Sequence, residues 1–354
     1  MTHSADLSSE FKARVESALA EGKPLSIVAG GSKHFLGRII QAEDMDVSAH
    51  RGIVSYQPEE LVVTVRSGTP LGELEQVLAD SGQCLPFEPP HFGTAATIGG
   101  TIACGLSGPR RPWAGAARDF VLGTRVINGR GECLAFGGQV MKNVAGYDVS
   151  RLMTGAMGTL GLLLEISMKV LPRPAATDTR VFELDLAAAI RRVNQWAGKP
   201  FPLSGACHDG ECLYVRLSGT PGGVRAAAAR LGGEARDGKR FWQDLREHRL
   251  AFFRDEAPVW RISVPAGTPP LALPGETIAD WGGALRWLRS DADADSIRSV
   301  VASAGGHAMM FKGGDRRGQV YHPLTPELLK LHRRLKSAFD PAGIFNPGKM
   351  YEGI

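Results

Sequence analysis

Between Pro86 and Arg111 the chain reads PFEPPHFGTAATIGGTIACGLSGPRR, a run of residues that are nearly all small and barely charged. Such a run holds too little apolar volume for a dense core and too few charges for a solvated linker. Around Gly99 and Gly100 the backbone can lie flat against something large, because no bulky side chain intervenes. Thr94, Thr97, Thr101 and Ser107 add hydroxyls along the way. A long mixed loop inside a domain is usually functional, so a binding loop is expected here. The competing reading is a close-packed Gly/Ala crossing.

The remainder of the chain can supply the core that this stretch lacks. Of its 354 residues, 43% are hydrophobic and 22% charged, which places it among globular chains long enough for two domains or one large domain with an insert. The net charge is +4 with both signs mixed, too little for a nucleic-acid footprint. The start, MTHSADLSSEFKARVESALAEGKP, has no basic segment followed by an apolar one, and no apolar run reaches the roughly 20 residues of a membrane span. A cytoplasmic location is expected, with contact to the inner membrane made only through partner subunits. The five cysteines (Cys84, Cys104, Cys133, Cys207 and Cys212) match no zinc or iron–sulfur spacing, so no metal site is expected and any iron–sulfur cluster must sit on another chain.

The first half alternates strand and helix patterns. Phe11, Val15 and Leu19 form one stripe of a helix over 8–21. PLSIVAGG reads as a strand entering a glycine turn, GIVSYQPEELVVTVRSGTP as two strands, and LGELEQVLADSG as a helix closed by Gly82. DFVLGTRVINGRGECLAFGG reads as a hairpin around NGRG. Beyond TLGLLLEISMKVLPRP the glycine-loop chemistry thins out. We expect an α+β chain: a first domain over 1–173, a smaller α/β cap domain with an antiparallel sheet over 174–325, and a C-terminal segment over 326–354. Thr325 is the expected N-cap of the last helix, with Pro326 at its first position.

Three further motifs could carry chemistry. IVAGGSKHFLG, from Ile27 to Gly37, is a strand followed by two glycines and Ser-Lys, a pattern that points backbone N–H groups at an anion. It is neither a Walker loop nor a dinucleotide fingerprint. KNVAGYDVSRLMTGAMGTLGLLLEI, from Lys142 to Ile166, spaces Gly155, Gly158 and Gly161 by three before an apolar strand. FDPAGIFNPGK, from Phe339 to Lys349, is rich in turn formers.

The order and spacing of these four motifs resemble the vanillyl-alcohol-oxidase-type, or PCMH-type, FAD-binding family. The resemblance covers residues 24–173 and 336–350, a little under half of the chain. Within that family the wording GGSKHFLGR and the strand GGHAMMFKGG are most similar to the FAD-binding subunits of bacterial glycolate oxidases. It implies a PCMH-type fold, two α/β subdomains holding an extended FAD, with the small cap domain and a C-terminal segment that returns to the FAD domain. Ala29, Gly30, Gly31, Ser32, Lys33 and His34 inherit the pyrophosphate. Pro89, Thr97, Gly99, Gly100, Thr101 and Ser107 inherit the ribityl chain and the ring. Gly158, Thr159, Gly161 and Ile166 flank the adenine end and the ring, and Asn346 and Lys349 close over the flavin. Many relatives attach FAD through a histidine directly after the paired glycines. Ser32 stands there and His34 lies two residues on, so FAD is expected to be non-covalent. Replacing Gly99 or Gly100 by Val is then expected to remove FAD more than it unfolds the chain.

The implied reaction is oxidation of a small 2-hydroxy acid, glycolate to glyoxylate, within a complex that also holds a larger homologous FAD-linked subunit and an iron–sulfur subunit. That chemistry needs a cation for the carboxylate and a base near neutral pKa. Arg110, Arg111, Arg151, His91, His307 and His322 are candidates, and their spacing selects none. Asp119 reads as a helix or strand cap. Two alternatives stay open: a free-standing FAD enzyme acting on another hydroxy acid or a sugar derivative, and a flavin-binding scaffold subunit without catalysis of its own.

Overall fold

The computed structural model describes residues 5–138 and 148–354. They form two compact units, one of Met1–Leu106, Ala116–Pro172 and Arg316–Ile354, the other of Ser107–Gly115 and Arg173–Asp315. The last five residues of the small-residue stretch, Ser107–Arg111, thus belong to the second unit rather than the first.

In the first unit the helix Ser8–Glu21 buries Phe11, Val15 and Ala18, one stripe at helical spacing, against Leu25, Met45, Leu164 and Phe345. It stops at Gly22, whose φ of 64° suits a residue without a side chain. The strands Leu25–Val28 and Glu43–Asp46 pair in parallel. A five-stranded antiparallel sheet follows, ordered Ile53–Gln57, Val62–Arg66, Leu162–Lys169, Val121–Ile127 and Cys133–Gly137. Its central strand, Leu162–Lys169, shows the alternating burial of a sheet with one fully covered face. NGRG makes the expected hairpin turn: the Asn128 side chain accepts from Arg130 N at 2.9 Å and from Glu132 N at 3.0 Å. The helix Pro326–Phe339 carries the Thr325 cap, whose hydroxyl accepts from Leu328 N.

The expected binding loop is in part a helix, Ile98–Cys104. Thr97 Oγ1 caps it by accepting from Gly100 N at 3.2 Å, and Gly105, with φ 63°, ends it. Two glycines cost a helix about 1 kcal/mol each relative to alanine. Ile98 and Ile102, both fully buried beside Leu71 and Leu74, offset that cost.

The second unit is built on an eight-stranded sheet, antiparallel throughout. Leu186–Ala197 and Pro221–Leu231 pack Val193, Trp196, Val224 and Leu231 onto Leu203, Val215 and Leu217. Ala294–Ser303 packs Ile297 and Val301 onto Trp260, Ile262 and Leu288. The side chains of Asp185, Thr220 and Asp293 cap these three helices.

His248 stacks on Phe253 at 3.9 Å and meets the edge of Trp287 at 4.4 Å. Burial, helped by Lys312 and Arg261, pulls its pKa from 6.5 to about 3. The unfolded chain therefore binds a proton that the folded chain refuses. This contribution to stability is complete above pH 6.5 and is lost as pH falls from 6.5 toward about 3, at ~1.4 kcal/mol per pH unit. His248→Phe should flatten this acid limb in urea titrations at stepped pH. An unchanged slope would mean that His248 is protonated in the folded chain.

Candidate cofactor site

A cleft of about 910 Å³, open to solvent, lies in the first unit. Four separate stretches of sequence form most of its walls, and Ile40, Val47 and Ser67 complete the lining.

The first wall is the strand Leu25–Val28 running into Ala29–His34. Gly31 has φ 68°, and a Cβ there would stand 2.9 Å from the His34 ring. A Cβ at Gly30 would fall 1.4 Å from Ala95 O, so only glycine allows the loop to press on the 94–96 segment. Lys33, 8% exposed, donates to His91 O at 3.2 Å and Ser32 Oγ at 3.3 Å.

The second wall is the helix Ile98–Cys104, which presents Gly100, Ala103 and Cys104, spaced three and four apart on one face. Gly99 N donates to Ser67 O at 2.7 Å, and a Cβ on Gly99 would stand 2.6 Å from Ser67 Cβ. Burial pushes the Cys104 thiol up to about 11 against the opposing pull of Lys33 and Lys349, so it stays protonated at neutral pH.

The third wall is the turn Met157–Leu163, in which Met157 and Gly158 have φ of 52° and 70°. The fourth is the C-terminal segment with Asn346 and Lys349. Asn346 Oδ1 accepts from Ile27 N at 2.8 Å and its Nδ2 donates to Met157 O at 2.6 Å, tying the first wall to the third. Both bonds require this amide orientation. Behind it, Lys336 Nζ donates to Thr159 O at 2.8 Å, Asp340 Oδ2 at 2.7 Å and Phe345 O at 2.7 Å, using all three of its donors. Burial depresses the Lys336 pKa, and Asp340 pulls it back up. Lys349 is depressed mainly by burial, with Arg316 adding to the effect, and among the described residues no carboxylate pairs with it.

Of the residues expected from the sequence, Ala29, Gly30, Gly31, Ser32, Lys33, His34, Thr97, Gly99, Gly100, Gly158, Gly161, Asn346 and Lys349 come together on this cleft. Five do not. Pro89 is buried away from it. Thr101 lies on the covered helix face, its hydroxyl donating to Thr97 O at 2.8 Å. Ser107 belongs to the second unit. Thr159 is buried with its hydroxyl on Ala156 O, and Ile166 is a core residue paired with Val65. The part of the third motif over 142–147 lies outside the described residues. The sequence reading missed Ser67, Cys104 and Met157, which line the cleft.

None of the catalytic candidates lines the cleft. Arg110 and His307 belong to the second unit. So does Arg111, whose guanidinium lies 4.4 Å from the centre of the Trp281 ring. Arg151 pairs with Asp148 at 3.0 Å, His91 Nε2 meets Glu75 Oε2 at 3.0 Å, and His322 is half-buried outside the lining. Asp119 accepts from Ala116 N at 2.8 Å, as a cap.

Backbone N–H groups at a glycine turn with two lysines fit a bound pyrophosphate. Comparison with known proteins agrees. A family described as "FAD binding domain" matches residues 5–137, and one described as "FAD linked oxidases, C-terminal domain" matches 312–350. The chain is 51% identical to glycolate oxidase subunit GlcE of Escherichia coli (strain K12) over 99% of both chains. It is 34% identical to glycolate oxidase subunit GlcD of Bacillus subtilis (strain 168) over 36% of this chain and 27% of that one. Alkyldihydroxyacetonephosphate synthase shares the fold with a TM-score of 0.69 at 17% identity, over 97% of this chain and 76% of that one. Among the described residues no helix is long and apolar enough to cross a membrane. The chain belongs to the FAD-linked oxidoreductase family, in the branch of the glycolate oxidase subunit GlcE.

Proposed function

We propose that this chain is the FAD-binding subunit of a multi-subunit dehydrogenase that oxidises glycolate to glyoxylate. The observation that carries the proposal is the near-complete, 51% identical match to a glycolate oxidase subunit, in a chain whose glycine turn and lysines converge on one cleft. When bound, FAD supplies the acceptor for the hydride that leaves the substrate α-carbon. The chain's own residues then have assignable tasks. The backbone of Ala29–His34 meets the phosphates, and Lys33 and Lys349 offset their charge. Asn346 keeps the two walls at a fixed separation. Ser32 carries no imidazole for attachment, so the cofactor is held without a covalent bond. Electrons leave toward an iron–sulfur subunit, and a larger homologous FAD-linked subunit completes the assembly.

The titratable groups lining the cleft are Lys33, His34, Cys104 and Lys349, a set suited to holding an anion. This favours a division of labour in which the partner flavin subunit performs most of the oxidation. Tagged chain purified from its host should bring down both partners and reduce an artificial dye with glycolate. The isolated chain should turn over little. Full activity of the isolated chain would refute the subunit assignment and favour a free-standing enzyme.

A further inference from the structure

Ser67 follows the strand Val62–Arg66 and is 1% exposed. Its backbone is fully engaged: the N–H donates to Leu164 O at 2.8 Å, and the carbonyl accepts from Gly99 N at 2.7 Å. Its hydroxyl has no partner. Three other buried hydroxyls among the described residues share that condition, on Ser8, Thr124 and Thr154, but of the four only Ser67 lines the cleft. A buried hydroxyl without a partner is a cost that folded chains normally avoid. Here the backbone on both sides holds the residue in place, and the missing side chain of Gly99 makes room for its Cβ. The residue is therefore held in place with an unpaired hydroxyl at the cleft wall.

We infer that the Ser67 hydroxyl is a hydrogen-bonding contact for FAD in this cleft, satisfied only when the cofactor is bound. The inference rests on the proposed FAD-binding function and adds a residue to it. It carries a signature that a purely structural serine lacks. Ser67→Ala keeps the Cβ that packs on Gly99 and removes only the unpaired oxygen. In the flavin-free chain this change is neutral or stabilising, while in the loaded chain it deletes a bond.

The test uses the full chain stripped of flavin, as wild type, Ser67→Ala and Thr124→Ala. Two quantities are read for each: the melting temperature without flavin, and the Kd for FAD from quenching of FAD fluorescence. The expected result for Ser67→Ala is an unchanged or higher melting temperature with a Kd raised roughly three- to tenfold. Thr124→Ala, whose hydroxyl is equally unpaired but lies off the cleft, should leave the Kd unchanged. A wild-type Kd in Ser67→Ala, an equal rise in both variants, or a lower flavin-free melting temperature in Ser67→Ala would each overturn the inference. If the wild-type chain binds no FAD, the functional proposal itself fails, and that outcome is distinct from the others.

Discussion

Lys336→Met should destabilise the chain by about 3–5 kcal/mol and strip it of flavin, because it leaves a buried carboxylate without its cation. Lys336 is 7% exposed and Asp340 is 1% exposed. Asp340 would keep its bonds from Ile344 N at 3.1 Å and Phe345 N at 2.8 Å, yet it would hold a charge that no water reaches. The carbonyls of Thr159 and Phe345 would lose their donor in the same step. Phe345 precedes Asn346, whose amide bridges Ile27 and Met157, so damage to the clasp reaches the cleft directly. Urea unfolding and the flavin-to-protein absorbance ratio read the two effects. A midpoint close to wild type would mean that the clasp contributes little.

Gly30→Ala should weaken FAD binding by roughly one to two orders of magnitude, while Gly100→Ala should change it little. A Cβ at Gly30 would overlap Ala95 O at 1.4 Å, and backbone cannot swing aside as a long side chain can. A Cβ at Gly100 meets only Thr97 Oγ1, at 3.2 Å. Isothermal titration of both variants with FAD separates the two sites. Equal losses would show that the paired glycines of the helix face the cofactor as closely as the turn does. The sequence-based expectation for Gly99 and Gly100 divides on the same evidence. Gly99→Val collides with Ser67 Cβ at 2.6 Å and Ser67 O at 2.8 Å, so it should disturb the fold along with the cofactor.

Local chemistry was readable where neighbours in sequence decide the outcome. The first helix, the NGRG hairpin and the Thr325 cap follow from residues within a few positions of one another. The small-residue stretch misled because its glycines argue against a helix, whereas the burial of Ile98 and Ile102 depends on a core assembled from distant segments. Side-chain direction limited the site in the same way. Once residues 98–104 are helical, Gly100, Ala103 and Cys104 face the cleft and Thr101 turns into the protein. Ile166 sits on the same strand as the cleft residues Leu162 and Leu163 but further along, at the register of Val65. Ser67 gave no signal at all. Its environment is made by Leu164 and Gly99, which lie far from it in the chain.

We propose that this chain holds FAD, without a covalent bond, in the cleft between the Ala29–His34 turn and the C-terminal segment. Acid precipitation of the purified, reconstituted chain tests it most directly. The reconstituted chain should be yellow, release close to one equivalent of free FAD into the supernatant and leave no flavin on any peptide. A chain that stays colourless after reconstitution, or a flavin-labelled peptide containing His34, would contradict it.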